Sequence, residues 1–122
     1  MTSSRLRRTI SRWANPHEAE AQQLRQQYAS PAGSGAVSVA DAPDREKVVL
    51  RGTISTVTLR PRAGVPALEA ELNDGTGVVT VVWLGRRRIA GIDPGRSISI
   101  EGRIGAHDGL RVMYNPRYEL IP

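Results

Sequence analysis

The sequence predicts an all-β domain, a small sheet of five strands curled on itself behind an N-terminal helical arm. Three observations carry that prediction. From Val48 onward apolar and polar residues alternate with a period of two. The apolar residues there are mainly Val, Ile and Leu, while Phe is absent from all 122 residues and only two Trp and three Tyr occur. β-Branched side chains suit a pleated surface and lose entropy in helices. Composition also divides the chain into a polar, helix-prone arm (1–29), a Ser/Pro/Gly/Ala-rich linker (30–44) and a strand-rich remainder (45–122).

In the arm, Leu6, Ile10 and Trp13 recur at helical spacing, with Arg5, Arg7, Arg8 and Arg12 around them. Asn15-Pro16-His17-Glu18 reads as a break and restart, with Asn15 as cap, Pro16 in the first turn and Glu18 closing a capping box. Ala21, Leu24 and Tyr28 continue an apolar stripe along the second helix. Neither helix is long enough to be stable alone in water, so each is expected to dock, onto the barrel or a second subunit, or to fray. Pro31, Gly33, Gly35 and Pro43 make the linker a flexible tether.

The strands are expected at about 46–59, 66–73, 78–84, 96–104 and 109–121. In the first, Val48, Leu50, Gly52 and Ile54 share one face, and then Val57 and Leu59 take over the apolar role. That change of phase requires a bulge or sharp bend, which Gly52 permits nearby. Asn73-Asp74-Gly75-Thr76-Gly77 has strong hairpin chemistry. A helical turn carrying Ile89 and Ile92 is expected between Arg86 and Gly95. The order β-β-β-α-β-β, with a long bent first strand, is that of the five-stranded OB-fold barrel.

Formal charge is +5 and the isoelectric point about 10.7, a balance that favours polyanions. The arm carries +3, the linker −2 and the strand-rich part +4. Sixteen Arg accompany a single Lys, Lys47, a bias that GC-rich coding also produces. Without Cys, disulfides and thiolate metal sites are excluded. No apolar run long enough to span a bilayer is present, and no apolar segment follows the first arginines as a secretory signal requires. The expected location is cytoplasmic, without membrane association.

Several segments resemble one known group. Asp74-Gly75-Thr76-Gly77-Val78-Val79-Thr80-Val81-Val82-Trp83, then Pro94-Gly95-Arg96, Ile98-Ser99-Ile100-Glu101-Gly102 and Met113-Tyr114-Asn115-Pro116-Arg117-Tyr118-Glu119 occur in that order. They resemble the OB-fold wedge domain of RecG-type DNA branch-migration helicases, within the tRNA-anticodon-type OB superfamily, over roughly residues 45–121. The resemblance implies engagement of branched DNA, partly through aromatics near the end of the third strand, where Trp83 falls. The sequence departs from the family pattern at Leu84, Gly85 and Arg86, which stand where further aromatics are usual, and at Asn115, which stands for a usual His. The chain has no Gly-x-x-x-x-Gly-Lys-[Ser/Thr] loop to hold nucleotide phosphates, so it carries no helicase motor of its own.

OB-folds bind along the second and third strands and the loops that flank them, pairing cationic grooves with stacking aromatics. The loop after the first strand supplies Arg60, Arg62 and Gly64, and that strand's outer face supplies Arg51, Thr53 and Ser55. The fourth strand adds Arg103, and the last loop His107 and Arg111. Arg86, Arg87 and Arg88 form the densest basic cluster. Guanidiniums fork onto phosphates, and the competing reading is a solvated Arg-rich surface. Alternation with Val79 and Val81 favours the barrel interior for Trp83 over base stacking. Tyr114 and Tyr118 read as core or rim residues. Glu69 and Glu71 are expected outward on the second strand, where they repel phosphate but can accept hydrogen bonds from base amino groups.

His17 and His107 are far apart, no Ser sits in a nucleophile elbow, and the acidic residues are scattered, so no catalytic residue, metal site or cofactor is expected. The sequence thus reads as a small stand-alone, non-catalytic OB-fold protein. It is expected to bind nucleic acid, DNA more than RNA, single-stranded or branched, mainly through backbone charge. The alternative is a protein-interaction or self-association module docking through residues 1–29.

Overall fold

The computed structural model describes residues 16–29, 33 and 35–122. The first arm helix with Leu6, Ile10 and Trp13, and Asn15, lie outside the described residues. One helix, α1 (Pro16–Gln27), is followed by seven strands: β1 (Lys47–Leu59), β2 (Ala67–Asn73), β3 (Val78–Leu84), β4 (Ser97–Arg103), β5 (Gly105–His107), β6 (Leu110–Tyr114) and β7 (Arg117–Leu120). They form one sheet in the order β5-β6-β3-β2-β1-β4-β7, antiparallel throughout except where β6 runs parallel to β3.

The curl of the sheet originates in β1. Its first half, Lys47 to Thr53, pairs with β4, and its second half, Thr53 to Leu59, pairs with β2. One long strand therefore serves two partners. The register shifts between Ile54 and Thr56, leaving Ser55 as the extra residue. Ile54 and Val57 thereby both face inward, which is the phase change legible in the sequence. Gly52 sits at the bend, where an added Cβ would lie 2.8 Å from the Asn73 carbonyl oxygen, so the strands cross too closely for any side chain.

The first four strands fall within a residue of expectation, whereas the fifth does not. In place of one strand over 109–121, β6 pairs with β3 and β7 pairs with β4, with only Asn115 and Pro116 between them. Pro116 has no N–H to continue a ladder, and Asn115 adopts a left-handed φ of 50°. The Asn115 N–H still closes the parallel pairing onto Val82 O, and its side-chain Oδ1 accepts from Leu84 N. The hydrogen-bonded sheet is thus open and seven-stranded rather than five-stranded and closed, although a single bent segment reaches both of its flanks. The helical turn expected between Arg86 and Gly95 does not form as a helix either. Two tight turns replace it, Ile92 N to Ile89 O and Arg96 N to Asp93 O, with the backbone left-handed at positions 91 and 95. Ile89 and Ile92 nevertheless reach the core.

That core is aliphatic, built on Leu50, Ile54, Leu72, Val79, Val81, Ile98, Ile100, Ile104 and Met113. The linker contributes to it. Val37 N bonds Val49 O, Val39 and Ala42 are buried, and the Val39 N–H donates to Asp74 Oδ2 at 2.8 Å. Arg111 donates to the carbonyls of Val39 and Ala42. Residues 36–42 are therefore a strap bonded to the sheet and not a free tether. The last residue of the arm's apolar stripe is used on the same sheet. Tyr28, just past the helix end, is buried with its hydroxyl 2.6 Å from both Thr53 Oγ1 and Ser97 Oγ. Arg25 donates to the Gly75 carbonyl at 2.9 Å. Gly75, at φ +88°, lies so close to α1 that an added Cβ would be 2.2 Å from the Ala21 carbonyl oxygen.

Candidate functional site

The outward residues of the second half of β1, of β2, β3 and β6 form one face, and on it lies a groove of about 410 Å³. Its floor carries Thr56 and Thr58 from β1, Glu69 and Glu71 from β2, Thr80 from β3 and Val112 from β6. Alternation explains this placement, since Leu68, Ala70, Leu72, Val79, Val81 and Met113 point the other way into the core.

Two tight hairpin tips make its walls. On one side Arg62 and Val65 exchange backbone hydrogen bonds at 2.8 and 2.9 Å around Ala63 and Gly64, both with positive φ. On the other, His107 pairs with Leu110 around Asp108 and Gly109, again both with positive φ. Such two-residue turns match the twist of the strands they join. They present Arg60 and Arg62 on one wall and His107, Asp108 and Leu110 on the other.

Arg60 and Arg62 converge on one carboxylate. Arg62 Nη2 lies 3.0 Å from Glu69 Oε1, and Arg60 Nε 3.5 Å from Glu69 Oε2, with the Glu69 side chain 11% exposed. The Arg62 guanidinium also stands 5.8 Å from the centre of the Tyr114 ring and 3.4 Å from its hydroxyl oxygen. Tyr114 is 45% exposed. The carboxylate fixes Arg62 by a hydrogen bond and pairs more loosely with the exposed Arg60, and the half-exposed ring of Tyr114 lies beside them. This pairing of fixed cation and exposed ring suits phosphate and base surfaces together.

The expected site residues separate in space. Arg60, Arg62 and His107 meet at the groove. Arg86, Arg87 and Arg88 are all exposed, with no ion pair to any described residue. They leave the same end of the sheet as the Arg62 wall, because Gly85 N bonds Pro66 O at 2.7 Å. Arg51 pairs with Ser99 on the β4 side, away from the groove. Arg103 donates to the Arg45 carbonyl, and Arg111 is occupied by the strap and by Asp44 at 3.5 Å. Trp83 is buried in the core, its ring edge-on to Tyr118 at 5.9 Å. It offers no face for stacking. Tyr114 is the open aromatic instead, and the signal for it was the alternation Val112-Met113-Tyr114 around an inward Met113. Among the described residues no group of three His, Cys, Asp or Glu could hold a metal ion, and no helix is long and apolar enough to cross a membrane.

No protein-family model matches the chain, and no curated protein matches it. Solved structures do. RecG bound to a three-way DNA junction matches at a TM-score of 0.52 and 22% identity, over 67% of this chain and 12% of that one. A replication factor A related protein from Methanobacterium thermoautotrophicum matches at 0.53 and 13% identity, over 70% and 90%. The chain has an OB-like fold. A replication protein A heterotrimer bound to single-stranded DNA matches as well, at 0.51 and 11% identity, over 81% of this chain and 75% of that one. At such identities the likeness is one of fold, and the RecG resemblance seen in the sequence holds at that level. The chain spans about an eighth of the RecG chain, by the 12% covered.

Proposed function

We propose that this OB-like domain binds single-stranded or branched nucleic acid, DNA in preference to RNA, without catalysing a reaction. The observation that carries the reading is the groove edge, where Glu69 fixes Arg62 and pairs more loosely with Arg60 beside the half-exposed ring of Tyr114. A base stacks on Tyr114 while phosphates meet the two guanidiniums, and the backbone continues toward Arg86, Arg87 and Arg88. Backbone charge supplies most of the affinity and sequence preference is secondary. The proteins that share the fold include structures bound to a DNA junction and to single-stranded DNA, which supports the class of ligand. The topology also supports reading β6 and β7 together as the broken fifth strand of an OB barrel.

The test is fluorescence anisotropy of labelled single-stranded, duplex and forked DNA and a structured RNA, each at two salt concentrations. Salt-steep binding with a preference for single-stranded or forked DNA is expected. Binding that is flat in salt, or none at low salt, overturns the reading.

A further inference from the structure

The groove floor holds a carboxylate that a phosphate-binding surface does not need. Glu69 is matched by two guanidiniums, whereas no described cation forms an ion pair with Glu71. Glu71 lines the groove and is exposed. Its register partners are Thr56 on β1 and Thr80 on β3, so a row Thr-Glu-Thr crosses the floor at strand spacing. A bare carboxylate there repels any phosphate that approaches it. A strand lying in the groove must therefore turn its bases to the floor and its phosphates to the walls.

An ionised carboxylate only accepts hydrogen bonds, through two oxygens side by side. Among the bases, guanine alone presents two adjacent donors on its Watson–Crick edge, N1–H and the N2 amino group, followed by the O6 acceptor. Thymine places two acceptors around its single N–H, cytosine one amino group beside two acceptors, and adenine one amino group beside N1. A threonine hydroxyl next to the carboxylate supplies the donor that O6 requires. We infer that Glu71, with Thr56 or Thr80 beside it, selects guanine in the bound strand. This rests on the nucleic-acid reading of the same groove, and it adds a specificity determinant to a surface otherwise read through its charge.

The experiment compares three labelled strands of equal length: oligothymidylate, the same strand with a few isolated deoxyguanosines, and one with deoxyinosine in their place. Equal length and charge hold the phosphate contribution constant. The guanine strand is expected to bind about tenfold more tightly than oligothymidylate, the scale of one good bidentate base contact. Deoxyinosine, which lacks the N2 amino group, loses most of that preference. Glu71→Gln removes the preference and at the same time raises affinity for oligothymidylate, because repulsion is relieved. A mere loss of folding cannot produce that pair of opposite changes. Equal, salt-steep binding of all three strands overturns guanine selection and leaves the groove reading intact. A preference that survives Glu71→Gln overturns the role of Glu71, and absence of binding to every strand overturns this inference together with the reading beneath it.

Discussion

Replacing Asp74 by alanine tests how the strap is held. The Asp74 side chain is buried, 4% exposed, and accepts three hydrogen bonds: Val39 N at 2.8 Å on Oδ2, with Thr76 N at 2.9 Å and Thr76 Oγ1 at 2.6 Å on Oδ1. These bonds are not equal in consequence. Thr76 is exposed, so its donors rehydrate once the carboxylate is gone. Val39 is 1% exposed and its N–H has no route to water. A buried donor left without an acceptor costs about 1–3 kcal/mol, and the lost hairpin bonds add roughly 1 kcal/mol. The expected destabilisation is therefore about 3 kcal/mol. For a domain of this size about 4 °C of Tm corresponds to 1 kcal/mol, which gives a fall of about 12 °C. Asp74→Asn keeps one acceptor of the same shape and should fall about half as far. Thermal unfolding followed by circular dichroism measures both, and urea titration checks that the m-value is unchanged. Amide exchange at Val39 should accelerate more than exchange at Leu50 in the centre of β1. An Asp74→Ala protein melting within about 2 °C of the parent would refute the reasoning, since the strap would then be held by Arg111, the Val37–Val49 backbone bond and apolar contact without need of the carboxylate.

Other outcomes follow from the groove and its surroundings. Ala63 holds φ at +50°, a conformation that strains a side chain, so Ala63→Gly should raise stability by about 0.5–1 kcal/mol in urea titration and leave the fold unchanged. Trp83→Ala should cost about 3–5 kcal/mol in the same titration because it empties a core position. Tyr114→Ala should leave stability nearly untouched yet weaken single-strand binding by about 1–3 kcal/mol, measured by anisotropy. Replacing Arg86, Arg87 and Arg88 together by Ala should lower the slope of log K against log salt by about 0.7 for each phosphate contact removed. An unchanged slope would place all three outside the interface.

Much of this architecture was legible in the chain because strand alternation is a local signal. The inward set Leu68, Ala70, Leu72 and the outward pair Glu69 and Glu71 follow from period two, as does the bulge that brings Ile54 and Val57 to one face. What escaped was set by contacts distant in sequence. Residues 36–42 have linker composition, and only the meeting of Val39 with Asp74 and Arg111 turns them into a strap. The last strand breaks at Asn115-Pro116 because its two halves pair with different neighbours, β3 and β4, and no local pattern reports partner identity. The same limit governed the site. Nine positions were candidates by residue type, but Arg103 and Arg111 are occupied by backbone carbonyls, whereas Trp83 lies inward as its alternation with Val79 and Val81 favoured. Tyr114 was passed over because its exposure depends on how β6 lies against β3.

The two hairpin tips that wall the groove have a kinetic meaning. Ala63-Gly64 and Asp108-Gly109 are turns of minimal length closed by backbone hydrogen bonds at their bases, so the wall positions share in the sheet's rigidity. Under the proposed reading, a strand entering between them meets walls already shaped, and the ordering entropy of association falls on the strand and on the exposed arginine side chains. Encounter then needs no slow rearrangement of the protein, and association can approach the rate that diffusion and charge permit. Affinity differences among ligands of equal charge should accordingly appear in the time the strand remains bound, not in how fast it arrives.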